Sequence, residues 1–207
     1  METVKELVCA FREDEKDEAA PHFWSDGQLL RWARQAVDRF CEITRSVYDS
    51  TSPFTTIDVP AGESVFPRHP CIIDIVSAGI GGRQLDIQAP GETLRDLPCS
   101  GATRLLVVDN ANLTLHPPAQ TDSTLLLQVL RRPVRPLEMN SRLIDIPVSE
   151  REHLLLFIKH RAYRVSDAEV FDPTKADNYL AEFERACQRY YEVAQQARRP
   201  GNIRFRW

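Results

Sequence analysis

The chain has no surplus of basic charge, no long apolar run and no paired cysteines, and each absence closes off a class of function. Lys and Arg number 26 against 30 Asp and Glu, a formal charge of -4. That balance argues against a sequence-independent nucleic-acid binder, which normally shows a basic surplus or stripe. No stretch approaches the roughly 20 apolar residues of a membrane-spanning helix. Met1-Glu2-Thr3-Val4-Lys5 lacks the basic start and apolar run of a signal peptide, so the chain is expected to stay where it is made. Five cysteines (Cys9, Cys41, Cys71, Cys99, Cys187) lie far apart without C-x-x-C spacing. They suggest neither a disulfide framework nor a zinc site, and read as reduced thiols, mostly in the core.

Catalytic signatures are equally scarce. His153 and His160 stand two helical turns apart beside Glu150 and Glu152, without H-E-x-x-H order or a third ligand, and read as structural histidines. Gly79-Ile80-Gly81-Gly82 lacks both G-x-G-x-x-G and the Lys-Ser/Thr of a P-loop, and it leads into a strand, so it reads as a hairpin turn. Cys99-Ser100-Gly101 lacks the flanking glycines of a nucleophile elbow. The acidic run Glu13 to Glu18 lacks the ligand order of a calcium loop and reads as a solvated face or loop. The sequence therefore yields no catalytic residue, no cofactor and no metal ligand. One enzymatic alternative stays open, a hydrolase or metal-dependent enzyme with a site in the β region, if Asp74, Asp86, Asp109 and Asp145 converge. Arg131, Arg132 and Arg135 form a local basic patch that suits DNA or a partner's acids equally.

What the chain does have is helix punctuation. Thr3 with Glu6, Ser25 with Gln28, and Ser149 with Glu152 each have the spacing of a capping box, in which the cap hydroxyl and the third helical side chain satisfy each other's amides. Asp172-Pro173 supplies a cap acceptor followed by a proline with no amide to leave unpaired. Val4, Leu7, Val8 and Phe11 share one face after the first cap. After the second, Leu29, Trp32, Ala33, Ala36, Phe40, Ile43 and Val47 do so, and the helix fades near Tyr48-Asp49-Ser50. The third stretch, Leu154 to Ile158, is apolar over more than one face and should be central. In the fourth, Ala176, Tyr179, Leu180, Phe183, Cys187, Tyr190 and Ala194 form a long stripe that Pro200-Gly201 stops.

Between the helical pairs the period disappears, and short runs separated by Pro, Gly and Asn predict strands. They are Thr55 to Val59, Cys71 to Ala78, Gln84 to Ile87, Arg104 to Val108, Asn112 to His116 and Ser123 to Leu130, with hairpins at Asp109-Asn110 and Gly81-Gly82. The expected fold is α+β: a small helical bundle of residues 1–52 and 148–199, an antiparallel β-rich insertion of residues 53–147, and an extended tail of residues 200–207. In that tail Ile203, Phe205 and Trp207 alternate with Arg204 and Arg206 after Asn202. Such a segment either docks on its own domain or adds as a strand to a partner's sheet edge.

Two segments carry a family resemblance. Ala20-Pro21-His22-Phe23-Trp24-Ser25-Asp26-Gly27-Gln28-Leu29-Leu30, running into Arg39-Phe40-Cys41-Glu42-Ile43-Thr44, resembles the opening of tailed-bacteriophage head-to-tail adaptors related to podophage tail tubular protein A. Phe171-Asp172-Pro173-Thr174-Lys175-Ala176, followed by Tyr179-Leu180-Ala181-Glu182-Phe183, does the same. Gly27 departs from the pattern, standing where an acid would better serve the first helical turn. The resemblance implies a non-enzymatic virion protein, assembled in the host cytoplasm, whose copies form a dodecameric ring between the portal protein and the tail or nozzle proteins. Genomic DNA would pass through the ring without sequence-specific binding, and no membrane is involved. Family habit places the portal contact in the C-terminal segment, here Asn202, Ile203, Arg204, Phe205, Arg206 and Trp207.

Overall fold

The computed structural model describes residues 1–91, 101–166 and 170–198. The fold is α+β, with a β-rich stretch interrupting a set of helices. The chain divides into two compact units, one of Met1–Ser46 with the chain from Pro133 onward, the other of Val47–Arg132.

The helical unit contains α1 (Val4–Glu15), α2 (Asp26–Thr44), α3 (His153–Tyr163) and α4 (Pro173–Arg198). Each sends its apolar stripe inward. Leu7 and Phe11, Leu29 and Phe40, Leu154 and Ile158, and Ala176 and Phe183 are all fully buried. Burying each of the larger of these side chains stabilises by about 1.5–3 kcal/mol. The box at Ser25 forms in full: its hydroxyl accepts from the Gln28 amide at 3.3 Å, and Gln28 Oε1 accepts from the Ser25 amide at 2.9 Å. At Thr3 the hydroxyl accepts from the Glu6 amide, but Glu6 reaches one residue further back, to the Glu2 amide at 2.8 Å. Asp172 caps α4 through the Lys175 amide at 2.9 Å.

Two boundaries differ from expectation. The box at Ser149 does not form, because Val148–Glu150 winds as a 3-10 turn and α3 begins only at His153. The Glu150 amide bonds the Pro147 carbonyl at 2.9 Å, and the Ser149 hydroxyl goes to Glu150 Oε1. Backbone bonds spaced three apart satisfy the entry that a side-chain cap would have served. At the other boundary, α2 stops at Thr44 rather than near Tyr48, since Arg45 turns left-handed (φ 45°) and donates its amide to the Cys41 carbonyl at 3.0 Å. Val47 is therefore not on the helix.

The acidic run is partly interior. Asp17 and Arg12 are both buried and form an ion pair. Arg12 also donates to the Trp24 carbonyl at 2.9 Å and to Asp26 Oδ1 at 2.6 Å, while Asp17 Oδ1 accepts from the Phe23 amide at 2.6 Å. This node fixes the α1–α2 connection, and Trp24 packs edge-on against Phe11.

The β unit is a two-sheet sandwich around one core. One sheet runs β1 (Tyr48–Asp49), β9 (Ser123–Arg131), β4 (Ile72–Ile80), β5 (Arg83–Gln84), with β2 (Thr56–Val59) also on β9. The other runs β3 (Val65–Pro67), β8 (Asn112–His116), β7 (Leu105–Val108), β6 (Asp86–Gln88). Leu125, Leu127 and Val129 of β9 point inward to meet Leu106, Leu113 and Leu115 from the facing sheet. The pairing is antiparallel except between β6 and β7, which are parallel. Residues 89–104 between them are long enough for the crossover that parallel strands need, so the insertion is mixed rather than wholly antiparallel. The sequence reading missed β1, too short to show a period, and β3, whose Pro67 suits only an edge. Gly81 (φ 56°) and Gly82 (φ 76°) supply the two left-handed positions of the β4–β5 turn.

The two ends of this unit are clamped. Asp49 accepts from the Ser52 hydroxyl (2.6 Å), the Thr51 and Ser52 amides (2.9 and 3.0 Å) and Arg131 Nε (2.6 Å). Burial raises its pKa, but these bonds outweigh it and hold the carboxyl far below its ordinary 3.8.

Arg12→Ala leaves the Asp17 carboxylate buried without its partner. It is expected to cost about 3–5 kcal/mol, read as a lower urea midpoint, and pairing it with Asp17→Ala should recover part of the loss. Because the folded pKa of Asp49 is depressed, its contribution is complete above the unfolded value and fades as pH falls below about 4 toward the folded one. Stability of the wild type should therefore drop more steeply on acidification in that range than that of Asp49→Asn, measured by denaturant unfolding at stepped pH.

Candidate functional site

The candidate site begins where α4 outruns its packing. Phe183, Ala186 and Cys187 are buried, and the half-buried Tyr190 still lies 5.8 Å from the Phe40 ring. From Tyr191 to residue 197 no side chain is buried, and Val193 is 65% exposed. Tyr191, Ala194 and Gln195 stay half-buried there, so one side of these last turns is partly covered while Glu192, Val193, Gln196 and Ala197 are exposed. The predicted portal-binding residues Asn202, Ile203, Arg204, Phe205, Arg206 and Trp207 lie outside the described residues. In the sequence they come after Arg198, the last described residue, with residues 199–201 between.

Behind it the helix is firmly seated. The Asp172 amide bonds the Tyr163 carbonyl at 3.1 Å, and the Ala176 carbonyl lies 2.9 Å from His160 Nδ1. Lys175 reaches the Tyr163 hydroxyl and sits 3.8 Å from the centre of its ring, while that hydroxyl donates to Glu15 of α1. Burial, followed by the Glu15 contact, pushes the Tyr163 phenol well above its ordinary range, so it stays a neutral donor. Lys159 completes the cluster at 2.7 Å from Asp14 and 3.5 Å from Glu15. None of Lys159, Tyr163 or Glu15 stood out in the sequence, because the signal for this joint lies in residues far apart along the chain.

The remaining sequence candidates are structural. Asp109 accepts from the Ala111 and Asn112 amides, both at 2.6 Å, which lowers its pKa and forms the β7–β8 turn. Asp74 accepts from the Ile75 amide at 2.9 Å, Asp86 is exposed on β6, and Asp145 belongs to the other unit. Among the described residues, no group of three or more His, Cys, Asp or Glu side chains is placed to hold a metal. Arg131 is committed to Asp49 and Arg132 reaches the Pro70 carbonyl at 3.3 Å, so both are anchored within the β unit. His153 lies 3.3 Å from the Glu150 carboxylate. Cys99-Ser100 falls outside the described residues. Burial pushes the Cys187 thiol up to about 12, aided by Glu150 and Glu184, so it is inert. On the β unit a shallow hollow of about 700 Å³, bordered by Ser77, Arg83, Gln84, Leu126 and Gln128, has no carboxylate or imidazole in its lining. Proton-transfer chemistry has no group to work with there.

If α4 leaves the core after Tyr190, substitutions on either side of that point must differ. Val193→Ser is expected to change unfolding free energy by less than about 0.5 kcal/mol. Phe183→Ala should cost about 3–5 kcal/mol, both read from denaturant midpoints.

No curated protein is similar enough to this chain to count as a match. Residues 2–204 match the family model described as SU10 adaptor protein, nearly the whole chain. A match of that extent takes in both helical segments, the β insertion between them and most of the C-terminal segment, and it points to a structural role. The chain belongs to the SU10 adaptor protein family of bacteriophage head-to-tail adaptors.

Proposed function

We propose that this adaptor joins the portal to the tail as a ring around the DNA channel, with twelve copies as the family resemblance implies. Asn202 to Trp207 would make the portal contact. The observation that carries this reading is the end of α4: a helix seated by Phe183 and Tyr190 continues with no fully buried side chain, and the sequence after it alternates apolar and basic residues. Such a segment suits strand addition, in which main-chain bonds supply affinity and alternate side chains enter pockets. A ring closes only when each copy presents two different complementary surfaces, a task for the helical flanks and the β unit. The relation to podophage tail tubular protein A, the tail or nozzle proteins as the second partner, and assembly in the host cytoplasm belong to the same reading. DNA passes through without being read.

Deleting residues 202–207 should leave helical content and thermal midpoint unchanged while abolishing attachment to tailless, portal-containing heads, scored by sedimentation. Unchanged attachment would remove the tail from the interface. If instead the thermal midpoint falls by several degrees, the segment packs on its own domain.

A further inference from the structure

A ring asks for two different faces on each copy, and the helical unit has two flanks. α2 and α3 each pack against both α1 and α4, which leaves α1 and α4 on opposite sides of the unit. Their levels can be matched through α3. The Phe157 and Phe183 rings lie 5.3 Å apart and His160 Nδ1 is 2.9 Å from the Ala176 carbonyl, so α3 and α4 run in opposite directions. Lys159 reaches Asp14, and Arg151, just before α3, donates to the Met1 carbonyl at 2.9 Å, so α3 and α1 run the same way. The first turn of α1 is therefore level with the stretch of α4 that follows Phe183.

At that level the α4 flank exposes Arg185 and Arg189, one turn apart. Arg185 donates to the Ala181 carbonyl of its own helix, and Arg189 pairs with no described residue. Glu192, the acid nearest in sequence, is engaged by Gln188 at 3.0 Å. Elsewhere in the unit Arg12, Arg39, Arg142 and Arg164 each meet a carboxylate. The α1 flank carries carboxylates at the same level: Glu2 and Glu6 are exposed four residues apart. Glu6 accepts from the Glu2 amide and the Thr3 hydroxyl and forms no ion pair among the described residues, while Glu2 meets Arg142 in the open. Lys5 lies about 100° around the helix from Glu6. Both flanks then turn apolar in step. Beyond Arg189 comes the exposed Val193; beside Glu2, whose carbonyl accepts the Leu143 amide at 2.8 Å, comes Ile144, 77% exposed.

We propose that the α4 flank of one copy packs against the α1 flank of the next, with Arg185 and Arg189 pairing with Glu2 and Glu6 and Val193 covering Ile144. This rests on the reading of the protein as a ring and names the contact between its neighbours. Copies related by rotation alone keep their level, so a residue on one flank can meet only what stands level with it on the other. Opposite signs face each other there, and apolar faces apolar. Arginine suits the pairing, since its planar fork meets a carboxylate through two parallel bonds. An exposed ion pair alone contributes little, and the apolar contact beside it excludes the water that would screen the charges.

The test titrates the full chain onto tailless, portal-containing heads and counts the copies retained per head on gels. Wild-type binding should be cooperative, because each bound copy offers a flank to the next. R185E with R189E should move half-saturation upward on the order of tenfold and remove the cooperativity, with helical content and denaturant midpoint unchanged. E2R with E6R should do the same from the other flank; where its midpoint falls because Glu6 serves the start of α1, E2R alone carries that arm. An equimolar mixture of the two reversed variants separates this contact from any other use of the arginines. An even-numbered ring can alternate the variants so that opposite signs meet at every junction, and binding close to wild type should return. Reversed variants that bind as the wild type does, or a mixture as weak as either variant alone, overturn the flank contact and leave the ring reading standing. Wild-type copies that bind without cooperativity remove the ring, and this contact with it.

Discussion

The fold depends on one constraint: a chain that leaves a helical unit to build a sandwich must come back to where it left. Asp49 and Arg131 meet that constraint. They stand on β1 and β9, the first and last strands of the β unit, and their ion pair at 2.6 Å joins its entrance to its exit. Asp49 is held from its own side by the Ser52 hydroxyl and the amides of Thr51 and Ser52, so local bonds as well as Arg131 orient the carboxylate. Next to the pair, the Arg131 amide bonds the Val47 carbonyl at 3.0 Å. With both ends of the insertion tied, Met1–Ser46 and the chain from Pro133 onward can fold as one unit although 86 residues of sequence, Val47–Arg132, separate them.

How much of this could be read from sequence follows from whether each signal is local. Ser25 and Gln28, or Asp172 and Pro173, announce their helices because a cap is completed within four residues. The alternation of Ser123–Arg131 announces a strand whose odd-numbered leucines face a core. Ser149 misled because the same four residues fit two local solutions, and the one adopted is a 3-10 turn whose first carbonyl acceptor is Pro147. Arg12 and Asp17 were opaque for a different reason. Each looks like one more charge on an exposed segment until the α1–α2 connection folds over them. Asp49 could have been found: an Asp followed by Ser50-Thr51-Ser52 is a side chain poised to bond the amides that follow it.

The two segments that carried the family resemblance turn out to be joints. Phe23, Trp24 and Asp26 are the residues that the Arg12–Asp17 node grips, and Asp172, Lys175 and Ala176 are those that Tyr163 and His160 grip. Both joints tie the start of a helix to side chains of a neighbouring one. A family recognised through its joints is recognised by its frame, so the resemblance could carry the α+β architecture and the adaptor class while leaving the contact surfaces to be worked out.

The segment proposed for the portal contact follows, in sequence, the part of α4 whose side chains are no longer buried. A buried helix end would need every carbonyl and every long side chain satisfied by the domain. The end of α4 avoids that demand by leaving the core, and Arg189 and Val193 stay in solvent. The arrangement separates two duties that conflict within one packed surface. Residues up to Tyr190 have neighbours within the subunit to pack on, whereas the recognition proposed for the C-terminal segment asks for a surface free of such neighbours. The long helix thus begins in a firmly packed bundle and carries the chain, by residues 196 and 197, to exposed positions.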